Sequence, residues 1–383
     1  MKARWQSACV IAVHTLLLFA LLNLVTAAAL KVRWWLPAKQ RPLGPVTARI
    51  GFERLAAAYP EMSREDLAAF LAERAALNQW EYEPFTDYRQ RAVRGRFLNV
   101  SEAGYRLVKD QGPWPPRADA FNVFFFGGST AFGDGLPDDQ TLPSALQQLL
   151  HTPDGRPARV YNFARPGYYS PQERILFEQL LLLGLRPDAA VFLDGLNEGF
   201  RPVESPERPR WSSGISERLG PLVDEADGRA PMSSLRSLLR SLPIGRVVTK
   251  LLARSRPGPP LPIPGQAGIN ERWLANRRMT EAVARRFGVA ALFVWQPIAV
   301  YRYDLKYHLP GGSGLERIAP FGERYRMAEA DRQARPREWQ GVLWLAGAQE
   351  GRHENLYVDE VHYTARFARE LAASIAAELQ GRR

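Results

Sequence analysis

Cysteine is nearly missing from this chain. The one thiol among 383 residues, Cys9, lies inside the first apolar stretch. No disulfide can form within the chain, and no thiolate metal site can follow it. Histidine is scarce as well, at five residues. No helical His-Glu-x-x-His spacing occurs, so His353, Glu354, Asp359 and His362 suit a metal by ligand type alone. The glycine turn Gly127-Gly128-Ser129-Thr130 has no lysine, which excludes a P-loop. Gly133 and Gly135 lack a third glycine three residues on, so the dinucleotide-binding pattern also fails. No cofactor is expected. Dense basic runs are missing too. The net charge is +11, but the arginines that dominate it are scattered, and a nucleic-acid partner is not expected. No internal repeat is visible.

What is present is core material. Apolar residues make up 46% of the chain, which predicts a packed body rather than a disordered one. Cys9 to Leu30 runs about 22 residues without a charge, enough to span a bilayer core. Lys2 and Arg4 precede it like the basic start of an export signal, and Trp34 and Trp35 follow where interfacial aromatics belong. Ala27-Ala28-Ala29 resembles a cleavage site, but the run is long for a cleaved signal, so an uncleaved transmembrane anchor is expected. Lys31, Arg33, Lys39 and Arg41 would keep the body in the cytoplasm by the positive-inside rule. A signal-like anchor usually exports a large domain that follows it. The expectation is a single-pass protein of the inner (cell) membrane with its body on the periplasmic, outer side.

Three regions are expected: an anchor at 1–36, a linker and small prefacing region at 37–118, and a main domain at 119–383. Pro37 to Pro45 reads as linker, and Ser63-Arg-Glu-Asp66 as the capped start of a helix reaching about Asn78. In the main domain, apolar runs at 121–128, 159–164, 189–195 and 289–296 read as strands. Helical patterns at 141–150, 171–183, 271–287 and 365–379 alternate with them. This predicts an α/β fold: a three-layer α/β/α sandwich around a mostly parallel sheet. A Pro-, Arg- and Ser-rich insertion at about 200–268 interrupts it, with a short helix expected near Ser233–Leu242 and a loop at Pro257–Gly265.

Ser129 sits directly after the first strand. Glycines there permit a tight turn that lifts a hydroxyl to the carboxyl end of the sheet, and the helix after it would aim N–H groups and a positive dipole end at the same place. Asp359 and His362 are three residues apart, so one short turn can carry both. The carboxylate can hold one imidazole nitrogen while the other takes a serine proton. Gly167 and Asn197 follow the second and third strands and are apt oxyanion donors. Singly, each is also an ordinary turn residue; together they fall in chain order at strand ends.

The set resembles the SGNH, or GDSL-like, hydrolase superfamily, whose blocks supply a Ser, a Gly, an Asn and an Asp-x-x-His. The resemblance covers roughly 120–380. It implies a flavodoxin-like fold, Ser129 as nucleophile and oxyanion donor, Gly167 and Asn197 as further donors, and Asp359 and His362 completing a triad. Gly-Gly-Ser stands where Gly-Asp-Ser is usual, and Gly-Leu-Asn-Glu where Gly-x-Asn-Asp is usual. The implied activity is serine esterase action on an ester-bearing small molecule, glycan or lipid, an O-acetyl group on an envelope glycan being the first expectation. An O-acyltransferase and a non-catalytic glycan-binding scaffold are the alternatives. An ordinary α/β-hydrolase would want Gly-x-Ser-x-Gly, but Ala131 stands at its last position.

Overall fold

The computed structural model describes residues 2–35, 45–77, 80–152, 154–200, 242–245, 247–248, 266–309 and 313–381. Nearly all of the expected linker, most of the 200–268 insertion, its expected loop and all of its expected helix but Leu242 lie outside the described residues. Two compact units divide the chain: 1–41 with 210–262, and 42–209 with 263–383.

The first unit contains helix α1 (Lys2–Trp35). Its stretch Cys9–Ala29, with mean hydropathy 2.3, is long and apolar enough to cross a membrane, a test that a signal sequence also passes. Polar side chains in this stretch turn back on their own helix. Thr15 Oγ1 donates to Ile11 O at 2.8 Å, Asn23 Nδ2 to Phe19 O at 2.9 Å and Thr26 Oγ1 to Leu22 O at 2.7 Å. A medium without water demands such internal partners.

The second unit begins with α2 (Pro45–Ile50), α3 (Phe52–Ala56) and α4 (Arg64–Ala76). Ser63 caps α4 by accepting from the Asp66 N–H at 3.0 Å, as its spacing predicts. Two short antiparallel pairs follow: β1 (Trp80–Glu83) with β2 (Asp87–Gln90), and β3 (Val93–Arg94) with β4 (Asn99–Val100).

The main sheet has five strands: β5 (Phe121–Gly127), β6 (Ala158–Asn162), β7 (Ala189–Asp194), β8 (Ala290–Trp295) and β9 (Val342–Trp344). They lie in the order β6-β5-β7-β8-β9, every pair parallel. This is the 2-1-3-4-5 order of flavodoxin-like sheets. The connecting helices are α5 (Ser129–Phe132), α6 (Leu142–Leu149), α7 (Ser170–Leu182), α8 (Gln266–Phe287), α9 (Ser313–Ala334) and α10 (Ala365–Gly381).

Strand alternation sends neighbouring side chains to opposite faces, and each face has its own core. Val123, Phe125, Val191, Leu193, Leu292 and Val294 pack with Phe70 of α4, Leu146 of α6 and Ile375 of α10. Phe124, Phe126, Phe192, Phe293 and Trp295 pack with Phe177 of α7, Trp273 of α8 and Tyr325 of α9. The expected three-layer α/β/α fold is thus present. Phe126, Phe192 and Phe293 are register neighbours with stacked rings, 4.9 and 5.1 Å between centroids. Such aromatic cross-strand pairs add to area burial and fix the register. Sequence periodicity predicts neither β9 nor α9. Three residues carry no period, and α9 is polar and holds Pro320 in its interior.

Candidate active site

Ser129, Gly167 and Asn197 follow three adjacent parallel strands, so all three emerge at one edge of the sheet. In doubly wound sheets this carboxyl edge, near the switch in strand order, is where sites form. Ser129 opens α5, and its carbonyl accepts the Gly133 and Asp134 N–H groups at 3.0 and 2.9 Å. Here the structure differs from the expectation that the helix after the serine aims a dipole end at it. Helix α5 has four residues, and the next helix starts only at Leu142. A single turn aligns few peptide dipoles, so little macrodipole reaches Ser129.

Gly128 shows why glycine precedes the serine. A Cβ built there would overlap Asn197 Nδ2 and lie 3.3 Å from Tyr168 O. The amide of Asn197 occupies that space and donates to Tyr168 O at 2.6 Å. An amide carries two N–H bonds, so this contact uses one donor. Gly167, beside Tyr168, has φ +84°, where a side chain would be strained, and a Cβ on it would lie 2.7 Å from Tyr88 Oη. The Tyr88 hydroxyl donates to Pro166 O at 2.9 Å, and the Tyr168 hydroxyl to Tyr88 O at 2.6 Å. The β1–β2 hairpin therefore holds the Gly167 loop.

Glu198 stands where aspartate is usual in the resembling family, and it braces the same edge. Its Oε1 accepts the Ser170 N–H at 2.6 Å, and its Oε2 lies 3.6 Å from the Arg272 guanidinium. Burial raises its carboxyl pKa, and the Arg272 charge works against that rise.

Asp359 and His362 lie in a tight loop before α10. The loop is closed by the Val358 N–H on His362 O at 2.8 Å and docked by the Tyr363 hydroxyl on Pro297 O at 2.9 Å. His362 Nε2 is 2.8 Å from Ser129 Oγ. His362 Nδ1 is 2.8 Å from each Asp359 carboxylate oxygen. The Val361 and His362 backbone N–H groups also reach Asp359 Oδ1, at 3.1 and 3.0 Å. The loop thus orients the carboxylate before the imidazole meets it. Glu354 is ion-paired with Arg352 and Arg366, and His353 stacks on Tyr307. Neither joins Asp359 and His362.

One contributor is not visible in the sequence pattern. Arg74 of α4 donates from Nη2 to Asp359 Oδ2 at 3.1 Å and from Nε to Asp134 Oδ1 at 2.7 Å. Asp134 in turn has Oδ2 3.8 Å from His362 Nε2. No spacing rule links Arg74 to Asp359, because 285 positions separate them.

Charge follows this geometry. Burial alone would raise the Asp359 carboxyl, but His362 and Arg74 outweigh it and hold it well below the usual carboxylate range. Burial alone would lower the His362 imidazole, but Asp359 and Asp134 outweigh it and hold it above its ordinary value. Asp134 is likewise lowered, because Arg74 and His362 overcome its burial.

No protein-family model matches the chain, and no curated protein sequence matches it. Solved structures do. A lipase/acylhydrolase from Enterococcus faecalis is 14% identical, with a TM-score of 0.36 over 68% of this chain and 96% of that one. A catalytic mutant of an acetylxylan esterase from Geobacillus stearothermophilus is 11% identical, with a TM-score of 0.35 over 67% and 93%. A member of the lipolytic protein G-D-S-L family from Veillonella parvula is 10% identical, with a TM-score of 0.32 over 69% and 100%. Identities this low transfer no residue role, so the roles proposed for this chain rest on its own geometry.

Proposed function

We propose that this protein is a serine esterase that cleaves a carboxylic ester through an acyl-enzyme. The observation that carries the reading is the continuous relay from Asp359 through His362 to Ser129, both links at 2.8 Å. Serine is a weak nucleophile at its own pKa and needs an oriented base, which this relay supplies.

The steps follow from the atoms. Ser129 Oγ attacks the ester carbonyl while His362 Nε2 takes its proton. The resulting oxyanion is held by the N–H groups of Ser129 and Gly167 and by an Asn197 side-chain N–H. The carbon–oxygen bond to the alcohol breaks, and His362 protonates the leaving oxygen. Water then attacks the acyl-enzyme, giving its proton to His362 and releasing the acid. That proton returns to Ser129 Oγ. Short acyl groups, such as O-acetyl on an envelope glycan, are the proposed substrates. Acyl chain length is the first property to measure. Hydrolysis of p-nitrophenyl acetate, butyrate and octanoate by the detergent-solubilised chain tests both points. Acetate should be preferred; a preference for octanoate would replace the acetyl reading with a lipase-like one.

Asn197→Ala is expected to lower kcat by about 10²–10³-fold, the usual cost of one oxyanion donor. A loss smaller than about threefold would remove Asn197 from the oxyanion site, since a true donor costs far more.

Helix α1 is proposed to anchor the enzyme in the inner membrane with its body outside the cytoplasm. An alkaline phosphatase fused after residue 383 should then be active in cells. A silent fusion present at normal abundance reverses the orientation.

A further inference from the structure

The imidazole of His362 is flanked by two carboxylates, one at each nitrogen. Asp359 meets Nδ1 at 2.8 Å, and Asp134 Oδ2 stands 3.8 Å from Nε2, the nitrogen that faces Ser129. A single guanidinium, Arg74, bridges the two, at 3.1 Å from Asp359 and 2.7 Å from Asp134. It comes from α4, outside the strand-helix body that the family resemblance covers. We propose that Arg74 and Asp134 are positioning residues for the Ser129–His362–Asp359 relay, with Arg74 holding Asp134 at a stand-off from Nε2. The inference rests on the esterase reading.

The supports on either side of this bridge are built for rigidity. Glu73, the residue before Arg74, accepts the backbone N–H groups of Arg96 and Phe97 at 3.1 Å and of Leu98 at 2.7 Å. That pins the end of α4. The loop bearing Asp134 is held by Tyr59, whose hydroxyl donates to Gly135 O at 2.7 Å. Arg106, fully buried, donates to the carbonyls of Phe132, Gly133 and Leu136 at 3.0, 2.8 and 2.6 Å. Tyr59, Arg74 and Arg106 all precede β5. The segment before the sheet thus grips the turn after Ser129 at three points.

The chemical consequence concerns competition for Nε2. A carboxylate at hydrogen-bond distance would trap the imidazolium and draw the ring away from the serine oxygen. At 3.8 Å, with one oxygen committed to Arg74, Asp134 attracts the cation without capturing it. Removing Arg74 frees that carboxylate and leaves two negative charges facing one imidazole. Among the described residues, few groups face this imidazole. Asp359 lies in its own loop, Asp134 in the loop after α5, Arg74 on α4, and the Tyr59 hydroxyl beside them. His308 Nε2 lies 3.0 Å from the Asp359 backbone carbonyl oxygen.

The test measures His362 directly, by NMR titration of labelled histidine in the full-length solubilised chain, beside the pH profile of kcat/KM. Arg74→Gln should raise the His362 midpoint by about one pH unit, the usual effect of losing one nearby opposite charge to the carboxylates. Activity below the midpoint should fall about tenfold, and recover at alkaline pH with KM little changed. Asp134→Asn should move the midpoint down. The double variant Arg74→Gln/Asp134→Asn should bring it back toward the parent, and Arg74→Lys should rescue most of the shift. A loss of activity equal at every pH, with an unmoved histidine midpoint, would reduce both residues to structural props and overturn the inference. If Arg74→Gln fails to fold, the downward shift in Asp134→Asn decides. A midpoint that moves as described in a chain without Ser129-dependent hydrolysis would instead overturn the esterase reading and leave the clamp standing.

Discussion

Replacing Ser129 with alanine is expected to lower ester hydrolysis by at least about 10³-fold, because a relay without its nucleophile keeps only binding and oxyanion contributions. The fold should not notice. Ser129 Oγ has His362 Nε2 as its partner at 2.8 Å, and the hydroxyl adds nothing to either hydrophobic core. The backbone contacts that seat the residue, its carbonyl to Gly133 and Asp134, survive the change. Thermal unfolding should therefore shift little, within the usual range for a change away from the core. The readout is kcat for p-nitrophenyl acetate with the melting midpoint alongside. A variant that keeps a tenth of the parent rate would exclude Ser129 as nucleophile, whereas a parent no faster than the variant on any ester would make the binding-scaffold alternative the leading one.

Asp359→Asn is expected to cost about 10⁴-fold in kcat, the scale on which losing the orienting carboxylate of such a relay acts. Asp359 receives donors only: His362 Nδ1, two backbone N–H groups and the Arg74 guanidinium. An asparagine of the same shape must turn its own N–H₂ toward one of these donors. If it faces Nδ1, the imidazole must present a lone pair there, and Nε2 then carries the proton it should accept. The wrong tautomer is built in while the geometry is kept.

The pH dependence has a determined sign. His362 acts as base only when neutral, and its midpoint lies above the ordinary value, so kcat/KM should rise with pH through a midpoint above about 6.5. Asp359→Asn removes the largest group raising it, so whatever rate remains should have an acid limb at lower pH. Stability moves the opposite way at the two residues. The raised His362 contributes stability below its unfolded value, lost as pH rises through the folded one. The depressed Asp359 contributes stability above its unfolded value, lost as pH falls through the folded one. Asp359→Asn should therefore flatten the acid side of the stability profile measured by denaturant unfolding. An acid limb unchanged from the parent would mean that the carboxylate does not govern His362.

Much of the architecture is legible in the sequence. Strands β5, β6, β7 and β8 are apolar runs because helices cover both faces of the sheet, and such runs stand out between glycine turns. The amphipathic pattern of α10 was equally clear. Strand β9 was not, because three residues at a sheet edge need no more than their neighbour's backbone. Helix α9 was not, because its polar face dominates its composition.

The candidate site divides along the same line. Ser129, Gly167, Asn197, Asp359 and His362 could be picked out because each lies within a few residues of a strand end or in one short motif. Local chain geometry alone sends such positions to the carboxyl edge of a parallel sheet. The Asp359–His362 contact spans three residues, and a turn can make it without help. What only the tertiary structure decided is long-range and electrostatic. Gly128 is required by the amide of Asn197, 69 positions further along, and that demand exists only once β5 and β7 lie side by side. Arg74 meets Asp134 and Asp359 only after α4 packs over the sheet through Phe70 and Leu71. Periodicity records which face a residue turns inward. It does not record which distant charge will be waiting there, because an ion pair depends on a distance that the whole fold must close.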